Sequence, residues 1–266
     1  QELGHCHVVR GDGPAALAAL QTAVRLNPTL PAAWDMLAQL HRLRGDAAAA
    51  ADAARRLAML EQLAPEIVAA NSLYADGDLA PAETAIRSYL RQDPTNAGAL
   101  RLLARLRAEQ DGLEEAEALL RALLDQTPDY HEARRDYAMA LLQGGKALAA
   151  RRQSERLLAH DPDERDHIKS YAAACVALGD HEPVIDLYAR LLAEGCRTRT
   201  EAADLHLWRG NALKVAGRQD EAVADYRASL AARPDNGVAW FSLANLKTYR
   251  FTDEDIARMQ DARARP

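Results

Sequence analysis

Apolar residues recur along this chain at the spacing of one helix face, and short polar steps separate each such stretch from the next. In one stretch the apolar positions are Leu113, Ala116, Leu119, Leu120, Leu123 and Leu124. This spacing is typical of an amphipathic helix, and the Ala, Leu, Arg and Glu residues that dominate the chain are good helix formers. The sustained alternation of apolar and polar residues that would indicate a strand does not occur. The pattern predicts an all-α protein.

Glycine and proline interrupt the helical stretches at an interval of about 34 residues. The glycines are Gly11, Gly45, Gly77, Gly112, Gly145, Gly179 and Gly217, and the prolines in matching phase are Pro28, Pro94, Pro128, Pro162 and Pro234. One unit is therefore a helix, a glycine turn, a second helix and a proline turn. A fixed period of this size predicts a stack of helical repeats, an α-solenoid.

The unit that begins at Ala203 indicates which place carries which type of residue. Gly210, Ala222, Tyr226 and Pro234 stand at its eighth, twentieth, twenty-fourth and thirty-second places. This pattern resembles the tetratricopeptide repeat. The resemblance implies a superhelix of helix-turn-helix repeats, in which small residues at the eighth and twentieth places let the two helices of a hairpin touch.

The phase of the repeat predicts about seven to eight units. They lie near residues 1–30, 31–62, 63–96, 97–130, 131–164, 165–202 and 203–236, with a partial unit at 237–248. The interval from Gly179 to Gly217 is longer than the others, and residues 195–200 are expected to lengthen a turn there. Residues 249–266 are expected to form a capping helix or a linker toward a C-terminal domain.

The C-terminal segment departs from the repeat, because Phe251 stands where an eighth unit would have its turn glycine. Residues 239–256 are similar to the junction of bacterial proteins in which tetratricopeptide repeats precede a sulfotransferase domain. That resemblance implies that the chain is the N-terminal arm of a larger protein, with a C-terminal domain as its partner in cis. Phosphoadenosine phosphosulfate would then be a cofactor of the downstream domain, and no cofactor is expected in this chain. Thr252, followed by Asp253, Glu254 and Asp255, predicts a capped helix start.

Composition narrows the functions that are compatible with the chain. A net charge of -6 and a pI near 5.8 argue against nucleic-acid binding through phosphate contacts. No apolar run has the length that a bilayer requires, so no membrane partner is expected. Three unevenly spaced cysteines do not make a disulfide framework, which favours a reducing compartment and a cytoplasmic location. Cys175 is expected to be a buried structural thiol.

Motifs for catalysis and metal binding are incomplete in this sequence. His181 and Glu182 are followed by Ile185 where a zinc-protease helix needs its second histidine. Ala147 stands where a phosphate-binding loop would need Ser or Thr after Lys146. We therefore expect no catalytic residue and no metal site in this chain.

In tetratricopeptide solenoids the first helix of each pair lines a concave groove, and the resemblance implies which residues do so here. The predicted peptide-binding residues are Asn71, Arg101, Arg105, Arg135, Lys169, Trp208, Asn211, Lys214 and Asn245. The basic members form a seam inside an acidic protein. The asparagines share the ninth place of their units, where an amide can bind the backbone of an extended peptide. Trp208, with Phe241 and Tyr249 nearby, is expected either to add an aromatic wall or to pack on the continuation of the chain.

Two interpretations of the basic seam are compatible with the sequence. An arginine-lined groove would receive an acidic or carboxylate-bearing peptide. Alternatively, the charges are solvated or neutralised by carboxylates on the same helices, for which the candidates are Glu109, Glu132, Asp166 and Asp204. The predicted function is a protein-protein interaction module that binds a peptide or a partner protein. The alternative is a structural scaffold that self-associates without a peptide ligand.

Overall fold

A computed structural model of the chain describes residues 1–246 and 249–264. Within these residues every regular element is a helix and no β-strand occurs, which confirms the all-α prediction. The chain divides into two compact units, Gln1–Ala133 and Arg134–Pro266. In each unit a helix packs mainly on its neighbours in the sequence, which is the arrangement of an α-solenoid.

The helices of the first unit are α1 (Glu2–Val9), α2 (Gly13–Leu26), α3 (Pro31–Leu43), α4 (Ala47–Glu61), α5 (Pro65–Ala75), α6 (Leu79–Leu90), α7 (Ala97–Glu109) and α8 (Leu113–Gln126). The boundary between the units falls within α9 (His131–Gln143). The described part of the second unit continues with α10 (Ala147–His160), α11 (Arg165–Leu178), α12 (Glu182–Ala193), α13 (Arg199–Val215), α14 (Gln219–Ala232), α15 (Gly237–Ala244) and α16 (Asp253–Ala264).

The glycine turns reverse the chain between the two helices of a hairpin. Gly179 ends α11 in the left-handed conformation, with a φ of 77°. This conformation costs glycine little free energy because glycine has no Cβ. Before α8 the left-handed residue is Asp111, with a φ of 59°, and Gly112 is the N-cap of the helix. A Cβ at position 112 would lie 2.6 Å from the Arg107 guanidinium. Glycine is therefore needed at position 179 for its left-handed backbone conformation, and at position 112 because a side chain would overlap Arg107.

Helices α13 and α14 approach closely because Gly210 has no side chain. A Cβ at position 210 would lie 2.8 Å from Cε1 of Tyr226, and the Tyr226 ring is fully buried. Ala222, on the same helix as Tyr226, is fully buried as well. The two helices of this unit therefore touch at the small eighth place, as the resemblance implied, and the residue they meet there is the bulky one at the twenty-fourth place.

A buried carboxylate joins the same two helices. Asp225 of α14 is 3% exposed and accepts hydrogen bonds from His206 Nδ1 at 2.7 Å and Arg209 Nε at 2.6 Å, both on α13. Burial by itself would raise the pKa of Asp225, but these two hydrogen bonds outweigh it and lower the pKa. The ionised carboxylate holds α13 and α14 in register, since breaking a buried pair leaves an uncompensated charge.

The largest apolar cluster described in the second unit contains Cys175, whose side chain is fully buried. Burial raises the pKa of this thiol, although a hydrogen bond from Tyr171 and the charge of Arg151 oppose the shift. Cys175 is therefore the buried structural thiol that its place in the repeat predicts.

The longer interval before Gly217 extends a helix as well as a turn. Helix α13 has 17 residues and begins at Arg199. The hydroxyl of Thr198 caps it by accepting a hydrogen bond from the Glu201 amide at 3.0 Å. The expectation that residues 195–200 only lengthen a turn is therefore wrong for the last two of them, because the threonine cap starts the helix earlier.

Beyond α15 the chain packs back onto the last helices. The ring of Phe251 lies 6.3 Å from that of Trp240 and meets Tyr249 edge-on at 5.2 Å, measured between centroids. Thr252 and Asp255 form a capping box, in which the amide of each donates to the side chain of the other, at 3.0 and 3.2 Å. This confirms the predicted capped start of α16. The expected end of the repeats at residue 248 lies outside the described residues.

Gly210→Ala is expected to lower the free energy of unfolding by about 1 to 2 kcal/mol, because the new Cβ overlaps a buried ring that has no room to move. This overlap outweighs a gain of roughly 1 kcal/mol in helix propensity. Urea denaturation followed by circular dichroism measures the change. Gly237→Ala is the matched control, since a Cβ there meets nothing within 4 Å. A Gly210→Ala variant as stable as the wild type would contradict the close contact of the two helices.

Candidate functional site

The second unit contains a groove of about 670 Å³ lined by residues of α9, α11, α12 and α13. Four partly exposed apolar side chains line it: Met139, Val176, Trp208 and Val215, which are 50%, 47%, 39% and 59% exposed. We call this feature the apolar groove. Contiguous apolar side chains in contact with water are uncommon on a monomer and typically mark a surface that binds another molecule.

Trp208 provides an aromatic wall of the apolar groove. Its ring lies 5.8 Å from that of Tyr188, with 38° between the ring planes. Tyr188 is buried, and burial, together with the nearby Cys175 thiol, raises the pKa of Tyr188 to about 12. The Tyr188 ring therefore stays neutral and supports Trp208 as part of the core.

The arginine and the lysine that line the groove are each paired with a carboxylate. Arg135 Nη1 lies 2.9 Å from Asp166 Oδ2, and Lys169 Nζ lies 3.2 Å from Glu201 Oε1. The first pair is exposed to solvent, whereas the Glu201 side chain is only 13% exposed. Asp166 is one of the predicted neutralising residues, and Glu201 is an additional one that the sequence pattern did not indicate.

Glu201 is held by three donors. It accepts hydrogen bonds from Arg165 Nε at 3.0 Å, from Lys169 Nζ at 3.2 Å and from the Arg197 amide at 2.8 Å. Burial by itself would raise the pKa of Glu201, but the hydrogen bonds from Arg197, Lys169 and Arg165 outweigh it and lower the pKa to about 2. The ionised carboxylate therefore ties α11, the connection after α12 and the start of α13 together.

Two polar atoms of the groove lack partners in the part of the chain that the structure describes. The Oδ1 atom of Asn211 accepts a hydrogen bond from the Tyr226 hydroxyl at 2.9 Å, which leaves its Nδ2 as an open donor. His181 Nδ1 is buried and has no hydrogen-bond partner among the described residues. Asn211 Nδ2 is therefore the donor of this pair that is free to bond to a ligand.

Models of one repeat family match most of the chain. The models are described as tetratricopeptide repeat, and they match residues 2–66 and 185–237 in one case and residues 73–140 in the other. The chain belongs to the tetratricopeptide repeat family. These matches do not include the segment after residue 237, so the sulfotransferase junction stays a prediction. No curated protein matches the chain.

Solved structures of other proteins share the tetratricopeptide repeat fold. A tetratricopeptide repeat protein from Parabacteroides merdae is 17% identical, with a TM-score of 0.53 over 98% of this chain and 96% of that one. YrrB, described as a TPR protein with an unusual peptide-binding site, is 14% identical, with a TM-score of 0.54 over 67% and 90%. The human IFIT1 dimer with m7Gppp-AAAA is 16% identical, with a TM-score of 0.57 over 99% and 67%. At these identities the likeness shows the fold alone.

The groove brings four of the predicted peptide-binding residues together. They come from α9, α11 and α13 and are Arg135, Lys169, Trp208 and Asn211. All four belong to first helices of tetratricopeptide repeats, which come together in the fold although the chain separates them widely.

The apolar lining was not predicted. Met139, Val176 and Val215 stand at the ninth, twelfth and thirteenth places of their units, which are groove places of the tetratricopeptide repeat. Those places were a signal that could have identified them. An apolar residue in an amphipathic helix is ordinarily assigned to the core, and its exposure becomes evident only once the helices are packed.

The predicted basic residues of the first unit lie against tyrosines. The Arg101 guanidinium is 5.7 Å from the ring centroid of Tyr130, and that of Arg105 is 4.5 Å from the ring centroid of Tyr74. The Tyr74 hydroxyl donates a hydrogen bond to Glu109, one of the predicted neutralising residues. These cations therefore already have aromatic partners within the protein.

The other predicted residues do not line the apolar groove. Asn71 donates from Nδ2 to the Ile67 carbonyl of its own helix, at 2.9 Å. Asn245 is exposed and forms the C-cap of α15. Lys214 has no ion-pair partner among the described residues, and it lies outside the groove lining.

Tyr249 is part of the C-terminal cap. Its hydroxyl donates to Asp255 at 2.7 Å and accepts from Arg227 at 2.9 Å, and its ring packs on Phe251. These partners draw Tyr249 into the C-terminal cap. Trp208 pairs with Tyr188 instead, and Phe241 stays exposed.

Every helix in residues 1–246 and 249–264 is too short or too polar to cross a lipid bilayer. No group of three or more His, Cys, Asp or Glu side chains in those residues could hold a metal ion.

Glu201→Gln is expected to lower the free energy of unfolding at neutral pH by about 2 kcal/mol. The ordinary pKa of 4.5 falls to about 2 in the folded protein, so the carboxylate stabilises the fold above pH 4.5. That contribution is lost as the pH falls from 4.5 toward 2, because the unfolded state takes up a proton over this interval while the folded state stays ionised. The difference between wild type and variant should therefore shrink over this interval.

Urea denaturation at a series of pH values measures this difference. Glu254→Gln is the control, because the Glu254 side chain is 78% exposed and its removal is expected to change stability by less than about 0.5 kcal/mol. A Glu201→Gln effect that did not vary between pH 7 and pH 2 would show that the three hydrogen bonds do not favour the ionised carboxylate.

Proposed function

We propose that the apolar groove of the second unit binds an extended peptide segment of a partner protein. The observation that carries this proposal is the set of four partly exposed apolar side chains on three first helices around a volume of about 670 Å³. Volumes of this size are typical of binding pockets, and burying these side chains against a ligand is favourable.

The polar groups of the groove suit a peptide backbone. Asn211 Nδ2 is an open donor in the described part of the chain, since the Tyr226 hydroxyl bonds to the Oδ1 of the same amide. An extended peptide has carbonyl and amide groups that need partners whatever its sequence. YrrB, which shares the fold, is described as having a peptide-binding site, and this supports the same kind of ligand here.

The charges at the rim favour an apolar anchor over a run of acidic residues. An acidic ligand would have to displace Asp166 from Arg135 and Glu201 from Lys169, and Glu201 has two further donors. We therefore expect apolar side chains to provide most of the affinity, since paired charges have little left to offer a ligand.

Selection from a phage-displayed library of random peptides on the full chain tests this proposal. We expect peptides rich in aromatic or aliphatic residues, and a loss of about tenfold or more in their affinity for a Met139→Glu/Val215→Glu variant. Leu43→Glu/Leu148→Glu is the matched control, because both leucines are exposed and neither lines the groove. Fluorescence anisotropy with synthetic copies of the selected peptides gives the dissociation constants.

Two results would overturn the proposal. One is a selection that yields no peptide with measurable affinity for the wild-type chain. The other is a set of peptides that bind the Met139→Glu/Val215→Glu variant and the Leu43→Glu/Leu148→Glu control equally well, since their site would then lie elsewhere.

A role as the arm of a sulfotransferase is a second candidate, and the similarity of residues 239–256 to a repeat-sulfotransferase junction supports it. In that role the groove would position a protein substrate or partner for a domain in cis. The gene sequence downstream of Pro266 is the direct test. A following domain with a phosphosulfate-binding loop would support the arm, and an immediate stop codon would exclude it.

Self-association as a scaffold is favoured by two exposed apolar residues on α15. Val238 is 57% exposed and Phe241 is 66% exposed. Light scattering over a dilution series tests it, with Phe241→Lys as the variant expected to dissociate any oligomer. A mass that equals one chain at every concentration would exclude this role.

A further inference from the structure

A second, smaller pocket adjoins the apolar groove. It has a volume of about 320 Å³ and is lined by Arg197, Thr200 and Asp204 among others. Lys169 and Trp208 line both spaces, so Trp208 stands between them. We call the smaller space the side pocket. A ligand in the apolar groove that packs on Trp208 therefore has the side pocket next to it.

The extra residues before α13 build the side pocket. The interval from Gly179 to Gly217 is four residues longer than the 34-residue period, and Gly195 turns the chain in this interval with a φ of 93°. The Arg197 amide and the Thr198 hydroxyl are both hydrogen-bonded to Glu201, at 2.8 and 3.0 Å. This connection is therefore fixed by its main chain and its cap, and the Arg197 side chain takes no part in holding it.

The side pocket contains one uncommitted cation. Its carboxylates are Glu201, which pairs with Arg165 and Lys169, and Asp204, which pairs with Arg233 at 3.5 Å. The Arg197 guanidinium has no ion-pair partner within residues 1–246 and 249–264. Each carboxylate thus has a cation of its own, and Arg197 is left to attract an anion from outside.

We infer that the side pocket binds a side-chain carboxylate of the peptide, an aspartate or glutamate close to the apolar residue that packs on Trp208. Arg197 is the residue that recognises it, since a guanidinium binds a carboxylate through two parallel hydrogen bonds. This inference rests on the proposed function, because the apolar groove must first hold the peptide.

Two further features of the side pocket favour an anion. Thr200 lies in the first turn of α13, where the helix dipole stabilises negative charge, and its hydroxyl is a hydrogen-bond donor. A cationic ligand residue would instead meet Arg197 and Lys169 directly. The acidic preference is thus confined to one position of the ligand and does not extend along the groove.

The peptide selection described above tests this inference when it is repeated on two further variants of the full chain. Arg197→Gln removes the charge of the side chain but keeps the main-chain amide of residue 197, which donates a hydrogen bond to Glu201. Arg199→Gln is the matched control, because Arg199 is exposed in the same segment and lines neither space. We expect peptides from wild type and Arg199→Gln to carry an acidic residue near the apolar anchor, and peptides from Arg197→Gln to keep the anchor without it.

Affinities of synthetic peptides give the magnitude. Replacing the acidic residue by its amide should weaken binding to the wild type by about threefold to tenfold and leave binding to Arg197→Gln unchanged. Two results would overturn the inference and leave the proposed function standing. One is that peptides selected on the wild type carry the apolar anchor but no acidic residue, and the other is that peptides selected on Arg197→Gln and on Arg199→Gln show the same acidic preference. Peptides whose affinity did not change in the Met139→Glu/Val215→Glu variant would overturn both the inference and the proposed function.

Discussion

The contact between Gly210 and the buried ring of Tyr226 sets the position of α13, and α13 contributes Trp208, Asn211 and Val215 to the apolar groove. Two helices approach this closely only where one of them has no side chain. The Tyr226 hydroxyl then reaches Asn211, so the packing of the core orients a polar group of the groove. The Asp225 carboxylate also joins α13 to α14 through its hydrogen bonds to His206 and Arg209. The groove residues on α13 are therefore held in fixed positions by the packing of this hairpin.

The groove is apolar and its rim is neutralised, although its phase in the repeat suggested a basic seam. Arg135 and Lys169 meet carboxylates from neighbouring repeats, and in the first unit Arg101 and Arg105 lie against tyrosines. Like charges at the same place of consecutive repeats repel, and a partner for each of them lowers that energy. Arg197, which lies in the lengthened segment before α13, has no ion-pair partner within residues 1–246 and 249–264.

Much of the fold was predictable because its signals are local. The helices follow from apolar spacing, the turns from glycine and proline, and the start of α16 from Thr252 and the carboxylates after it. The contact of Gly210 with Tyr226 follows from places within one unit, and so does the burial of Cys175. The start of α13 was misjudged because the Thr198 cap competes with the turn that Gly195 begins, and the sequence pattern alone does not weigh one against the other.

The candidate site was only half predictable. Repeat phase assigned Arg135, Lys169 and Asn211 to one surface, and these residues line one groove together with Trp208. It did not reveal that Met139, Val176 and Val215 are exposed, since an apolar residue is equally compatible with the core and with a groove. It left open whether the aromatic residues near the end of the repeats form a wall or pack on the rest of the chain, because residues beyond the last repeat have no phase to follow.

The sequence by itself determined the period and the helices, because residues three or four apart on a helix lie on one face whatever the rest of the chain does. Only the tertiary structure decided which carboxylate pairs with which cation, as Glu201 does with Lys169 from 32 residues away. It also decided where a groove stays open. Such contacts depend on the separation of side chains one repeat apart, and a small change in helix packing opens or closes them.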